Sequence, residues 1–275
     1  MTAIPPLAKP TPPERKQVSL AVRSLTYFVC TPLILLSTTI FGIISLTCSL
    51  WDRSGRQQHL IARIWAKTLL LVSLSPVRVL GSENLPRIGP AVYASNHLSY
   101  MDSPTLFATL PFQFRILAKQ SLWKIPFIGW HLRRSGQLPV DQSSKRLAIA
   151  SLSSGIESLK SGMPLVIFPE GGRSQNGLPQ DFLPGCAFMA IKAQVPLVPL
   201  TLVGTYELLP MHTDHLKPRP LLLVIGKPIS TEGRSTNAAE YFTAQLRTVI
   251  STTYMAYTQE DSASIAPDQS KELAQ

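Results

Sequence analysis

Charge is what this chain has least of: only 15% of its 275 residues are charged, and none lies between Arg23 and Asp52. Cysteine is scarce too. Cys30, Cys48 and Cys186 are the only three, which excludes a disulfide framework and offers no metal-ligand spacing. Two of them lie inside the uncharged run, where a thiol packs as a small hydrophobe. A count this low fits a reducing compartment. No Gly/Ser-rich linker divides the middle and there are no internal repeats, so one large domain is expected. Basic–aromatic alternation and recognisable reader motifs are missing as well, which removes nucleic acid as a partner.

What is present is basic and apolar. The formal net charge is +10, yet residues 258–275 set Glu260, Asp261, Asp268 and Glu272 against Lys271, a local −3, so everything before them carries +13. A basic body suits an anionic partner such as phospholipid headgroups or a phosphorylated substrate. The positive mean hydropathy suits a chain that works against a membrane.

Residues 1–23 are basic and their first part is rich in proline, which reads as disordered. Residues 24–75 read as a membrane-associated helical segment, 76–257 as an α/β domain and 258–275 as a disordered acidic tail. The uncharged run from Ser24 to Trp51 exceeds the roughly 20 apolar residues that span a bilayer. Lys9, Arg15, Lys16 and Arg23 precede it; Arg53, Arg56, Arg63 and Lys67 follow. Positive residues on both sides select no inside and fit a re-entrant hairpin, softened at Pro32 or Gly42, better than a single span. Arg56–Leu74 continues as a basic amphipathic helix with Ile61, Ile64, Trp65 and Leu69 near helical spacing, either docked on the domain or lying on the membrane.

Beyond Pro76, strands and helices alternate, as in an α/β sandwich. Val77–Leu80, Ala91–Ser95, Phe114–Ala118, Leu138–Val140, Leu165–Phe168, Leu197–Val203 and Leu221–Ile225 read as strands. Helices are expected at Pro104–Leu110, from Ser143 or Ser144 to Lys160, around Cys186–Ala193 and near Ala238–Tyr257. Ser121–Trp130 reads as a short bent helix or wall.

Two blocks carry chemistry. In the first, the run from Ala91 ends in Asn96, His97, Ser99 and Asp102 at a strand-to-helix handover, where α/β sheets open ligand crevices. A carboxylate on one imidazole nitrogen fixes the tautomer and leaves the other nitrogen to take a proton. Ser99 has no Gly-x-Ser-x-Gly elbow around it. His59, His131, His212 and His215 form no helical pair with His97 or Asp102 that would mark a zinc site. In the second block, Leu165–Phe168 runs into Pro169-Glu170-Gly171-Gly172-Arg173-Ser174. Its glycines let backbone N–H groups approach a phosphate, and Arg173 offers a planar fork. Glu170 is placed to accept a hydroxyl or to hold the arginine.

In combination the blocks resemble the glycerolipid acyltransferases of the 1-acylglycerol-3-phosphate acyltransferase type. The matching residues are Asn96, His97 and Asp102; Lys119 with Pro126 and Gly129; Phe168, Pro169, Glu170, Gly171, Arg173 and Ser174; and Val195, Pro196, Val198 and Pro199. Two positions depart from the family pattern. Gly172 stands where threonine is usual, and Gln142 follows Leu138-Pro-Val-Asp141 where an arginine is expected, which bears on the identity of the acceptor.

The resemblance implies a central mixed sheet flanked by helices, after an N-terminal membrane-associated segment. It implies fatty acyl transfer from a thioester to the free hydroxyl of a lysophospholipid, with His97 as base and Asp102 behind it. Glu170, Gly171, Gly172, Arg173 and Lys119 are the implied substrate-binding residues, and Trp123–Trp130 is either an acyl-chain wall or core packing. No metal or cofactor is implied, only acyl-CoA or acyl-carrier protein as co-substrate. The partners are the lysophospholipid acceptor and membrane lipids, at the cytoplasmic face of the plasma (inner) membrane.

Overall fold

A computed structural model describes residues 19–86, 89–125, 127–141 and 143–265. The reading of residues 1–18 and the departure at Gln142 lie outside them, as do Pro126 and the last ten residues. The described chain begins as one long helix: α1 (Leu20–Leu25), a π turn (Thr26–Cys30) and α2 (Thr31–Cys48). Ordered helix thus starts earlier than the expected boundary at 24, because the Ser19 hydroxyl caps it, accepting from the Val22 N–H at 3.4 Å. This is the one described helix long and apolar enough to cross a membrane.

The expected break at Pro32 or Gly42 is absent. Pro32 sits at the first positions of α2, directly after the π turn. A wider turn at that point relieves the clash of the proline ring with the preceding carbonyls. Gly42 lowers helix propensity without supplying a reason to turn. The chain reverses later, before α3 (Arg56–Val72), which packs back on α2. The Trp65 indole donates to the Thr38 hydroxyl across the pair at 3.1 Å.

α3 is a docked helix, and of the expected stripe Leu69 is buried and Trp65 packs against the same cluster. Gln58, His59, Ala62, Ala66, Leu69 and Leu70 are buried, while Ile64 is exposed. Ala66, Leu69 and Leu70 join Cys30 against α4 (Asp102–Thr109) in a cluster that includes Met101, Ala108 and Leu221.

The seven strands β1 (Val77–Leu80), β2 (Val92–Ser95), β3 (Arg115–Lys119), β4 (Leu138–Val140), β5 (Leu165–Ile167), β6 (Leu197–Val203) and β7 (Leu221–Ile225) form one sheet in the order β1-β7-β6-β2-β5-β3-β4. Every pairing is parallel except β6 with β7. Successive residues of the central strands alternate between two buried faces, which is why those strands read as unbroken apolar runs. Val92, Ala94, Leu165 and Ile167 face one core with α7 (Gly185–Ala193) and α9 (Ala239–Ile265). Tyr93, Val166, Val198 and Leu200 face the other, with Leu106 and Leu110 from and just after α4. α6 (Lys145–Lys160) is capped by Ser144, whose hydroxyl accepts from the Leu147 N–H, and packs on α7.

Two elements exceed expectation. α8 (Thr205–Leu208) is a single turn too short to show periodicity. α9 runs to Ile265, eight residues into the stretch read as tail, because a helix already nucleated and packed propagates at little cost. The Ser121–Trp130 stretch is a 3-10 turn (Gln120–Lys124) followed by α5 (Ile128–Arg134). It is not core packing, since Ile125, Phe127, Ile128 and Trp130 are all exposed.

Candidate active site

The site lies where β2 and β5, neighbours in the sheet, end side by side. Just past β2, Asn96 is buried and uses its amide as an artificial ladder rung. Its Nδ2 donates to the Leu202 carbonyl and its Oδ1 accepts from the Leu202 N–H, both at 2.8 Å. That pair extends β2 against β6 and fixes where the next residue, His97, leaves the sheet.

Asp102 opens α4 and is fully buried. Its Oδ2 gathers three donors: Leu98 N–H at 2.6 Å, Ser99 N–H at 2.8 Å and His97 Nδ1 at 2.8 Å. With the carboxylate on Nδ1, the proton belongs on that nitrogen and Nε2 is the free base. The helix N-terminus behind Asp102 favours its negative charge. The imidazole keeps 18% of its surface exposed and lies flat on Phe168, ring centroids 3.9 Å apart at 15°. Partner and stacking surface hold the ring in one orientation, with one nitrogen toward solvent.

The second block grips the same residue from the other side. Glu170 Oε1 accepts the His97 backbone N–H at 2.8 Å, and Ser174 N–H donates to the His97 carbonyl at 2.8 Å. The other Glu170 oxygen accepts from the Gln180 N–H at 3.0 Å. Desolvation pushes the Glu170 carboxyl up to about 8, against the lowering pull of those two N–H groups. Both oxygens are committed to backbone, so the expected pair with Arg173 does not form. Arg173 instead lies over the Tyr100 ring at 3.8 Å, a cation–π contact that joins the two blocks.

Gly171 adopts φ +71 and its N–H closes the turn onto the Phe168 carbonyl at 3.1 Å. It is therefore the turn-former and has no N–H to spare. Gly172 and its N–H face open surface among the described residues. Lys119 ends β3 on the far side of β5, exposed, at the same edge of the sheet. Neighbouring strands lie about 4.8 Å apart, so Lys119 borders the site without touching His97. Ser99 is buried and donates its hydroxyl to the Leu209 carbonyl at 2.8 Å, a role in the scaffold. Among the described residues, no group of three or more His, Cys, Asp or Glu is arranged to hold a metal ion.

Residues that hold the second loop carry no local signal in the sequence. Gln180 Nε2 reaches Ser174 Oγ, Asn176 Oδ1 and the Leu178 carbonyl. Tyr254, buried on α9, donates its hydroxyl to the Gly177 carbonyl at 2.8 Å. It packs in a cluster with Leu98, next to the histidine. Only tertiary structure brings Tyr254 to the loop, so no spacing rule would have found it.

Comparison with known proteins gives one consistent answer. The Acyltransferase family model matches residues 76–203. The chain is 34% identical over 183 residues to a chloroplastic 1-acyl-sn-glycerol-3-phosphate acyltransferase of Brassica napus, covering 66% of this chain and 53% of the relative. A 1-acyl-sn-glycerol-3-phosphate acyltransferase of Saccharomyces cerevisiae is 31% identical over 213 residues, covering 75% of this chain and 69% of the relative. The chain spans about half the length of the chloroplastic relatives it matches. The crystal structure of the 1-acyl-sn-glycerophosphate (LPA) acyltransferase from Thermotoga maritima superposes with a TM-score of 0.71 at 27% identity, over 87% of this chain and 95% of that one.

Proposed function

From a chain that belongs to the 1-acyl-sn-glycerol-3-phosphate acyltransferase family, we propose transfer of a fatty acyl group from a thioester to the free hydroxyl of 1-acylglycerol 3-phosphate, giving phosphatidic acid. The observation that carries this reading is the His97–Asp102 pair at 2.8 Å, with Nε2 left open at the sheet edge.

Nε2 takes the proton of the acceptor hydroxyl as its oxygen attacks the thioester carbonyl. The carbon–oxygen ester bond forms, the carbon–sulfur bond breaks, and the imidazolium returns its proton to the departing thiolate. Asp102 keeps Nδ1–H in place and stabilises the transient imidazolium. No acyl-enzyme is needed, and Ser99, already committed to Leu209, is no nucleophile.

Arg173, the Gly172 N–H and Lys119 receive the acceptor phosphate, while Glu170 and Gly171 shape the turn that presents them. Glu170 acts on His97 through its main chain and is a positioning residue. The donor is acyl-CoA or acyl-carrier protein; no cofactor takes part. The acyltransferase domain begins near residue 76, and the segment before it anchors the enzyme at the cytoplasmic face of the plasma (inner) membrane.

The test is an acceptor panel run on membranes carrying the full chain, with both donor types. Lysophosphatidate is expected to be acylated, and His97→Ala to lower the rate ~10²–10⁴-fold with an unchanged melting temperature. Full activity in that variant removes His97 as the base. Preference for glycerol 3-phosphate or another lysolipid moves the acceptor assignment and leaves the chemistry standing.

A further inference from the structure

We infer that Phe127, Ile128 and Trp130, flanked by Lys124, Arg133 and Arg134, form a second membrane contact that rests in the headgroup region of an anionic bilayer beside the N-terminal helix. This patch is not core. Phe127 is 64% exposed, Ile128 48% and Trp130 54%.

The backbone is built to put them there. Phe127 sits at φ 61, a conformation non-glycine residues adopt only under constraint. A strained backbone that leaves an aromatic ring in the open gains nothing from packing in the isolated chain. Gly129 supplies the constraint: a Cβ there would come within 2.3 Å of the Trp123 carbonyl oxygen, so α5 is pressed onto the preceding turn and only glycine fits. Phe127 and Trp130 meet edge-on, centroids 5.1 Å apart at 63°, as one rigid aromatic wedge.

Continuity and charge name the occupant. Ser45 of α2, 2% exposed, bonds to His131 Nδ1 of α5 at 2.8 Å. The patch is therefore fastened to the helix whose Ile40, Ile43 and Ile44 are also exposed. An apolar surface that runs from a membrane-length helix onto an aromatic wedge meets the same bilayer. α5 holds no carboxylate and ends in exposed Arg133 and Arg134. Lys124 has Asp141 near it, so the two arginines carry most of the pull toward anionic headgroups, while Trp130 suits the interface itself. The inference is independent of the reaction.

Full-length protein in phosphatidylcholine–phosphatidylglycerol vesicles, with bromine on the lipid acyl chains, tests it. The tryptophan emission lost in Trp130→Phe should be blue-shifted and several-fold more sensitive to lipid bromine than to aqueous iodide. Emission quenched by iodide and untouched by lipid bromine overturns the contact. Quenching by bromine on an acyl thioester, but not on bilayer lipid, also overturns it, by assigning the wedge to the donor chain. Arg133→Glu with Arg134→Glu should cut the bromine quenching of Trp130 in anionic vesicles and leave it in neutral ones. Equal quenching in both vesicles, unchanged by the double substitution, refutes the electrostatic part.

Discussion

Asp102 and Glu170 follow neighbouring parallel strands and hold opposite ends of one histidine. Asp102 is fully buried and fixes the ring through Nδ1. Glu170 fixes the main chain through the His97 N–H, with Ser174 on the carbonyl. One carboxylate governs which imidazole nitrogen carries the proton; the other governs where the ring stands. The blocks are roughly seventy residues apart in sequence, so neither is a site without the other. The difference also predicts how each will fail.

The largest effect should come from Asp102→Asn. The amide can still accept from the Leu98 and Ser99 N–H groups, so the turn survives. The same amide oxygen then also faces Nδ1, so the tautomer is kept and what is lost is the negative charge that supports the imidazolium. Turnover on the lysophosphatidate acceptor should fall ~10²–10⁴-fold with the melting temperature nearly unchanged. A small rate loss would mean that Asp102 serves only the fold. Next comes Arg173→Ala, which asks whether the second block touches substrate as well as His97. Loss of charge-assisted bonds to a phosphate, worth about 1.5–3 kcal/mol, should raise the acceptor KM by roughly 10–100-fold while kcat holds. An unchanged KM would reduce Arg173 to its Tyr100 contact.

Glu170→Gln should be milder, because one oxygen remains to accept and one of two backbone N–H groups is orphaned, at about 1–3 kcal/mol. A kcat loss on the order of tenfold is expected, with KM little changed. The pH dependence separates the two carboxylates more cleanly. The folded Glu170 carboxyl lies up near 8 against an ordinary 4.5, so the folded chain holds a proton that the unfolded chain releases. That proton stabilises the fold fully below about pH 4.5, and the stabilisation is lost as pH rises through 8. The melting-temperature difference between wild type and Glu170→Gln should therefore move against wild type between pH 5 and 8. A flat difference would mean that the two N–H bonds outweigh desolvation.

The same contrast explains what could be read in advance. His97 and Asp102 lie close together at one strand-to-helix handover, so the pair is a local candidate that the second block strengthens; strands buried on both faces announce themselves as apolar runs. Glu170 was legible as chemistry and not as a partner, because its acceptor job depends on β2 and β5 being neighbours, a tertiary fact. Tyr254 was invisible for the same reason, while Gln180, whose contacts are all within ten residues, belongs to no recognisable motif. The N-terminal run misled where a local rule, proline breaks helices, met a π turn that absorbs the proline. For Trp123–Trp130 the sequence leaves an acyl-chain wall and core packing open, and the exposure of Ile125, Phe127, Ile128 and Trp130 removes the core alternative.

The smallest expected effect is in the turn itself, where two adjacent glycines look equivalent in sequence and are not. Gly171 needs φ +71, which a side chain adopts at a cost of roughly 1–2 kcal/mol. At Gly172 no such φ is required and a Cβ would meet nothing within 4 Å. Gly172→Thr should therefore leave kcat and KM within about twofold and shift stability by no more than ~0.5 kcal/mol, the range of a neutral surface change. Gly171→Thr, by contrast, should cost measurable stability and loosen the Phe168–Gly171 turn on which Glu170 rides. Equal losses at both positions, measured by thermal melts and initial rates side by side, would mean that the open face of Gly172 is occupied in the working enzyme. The acceptor would then cover the Cα face of Gly172 as well as the N–H proposed to receive its phosphate.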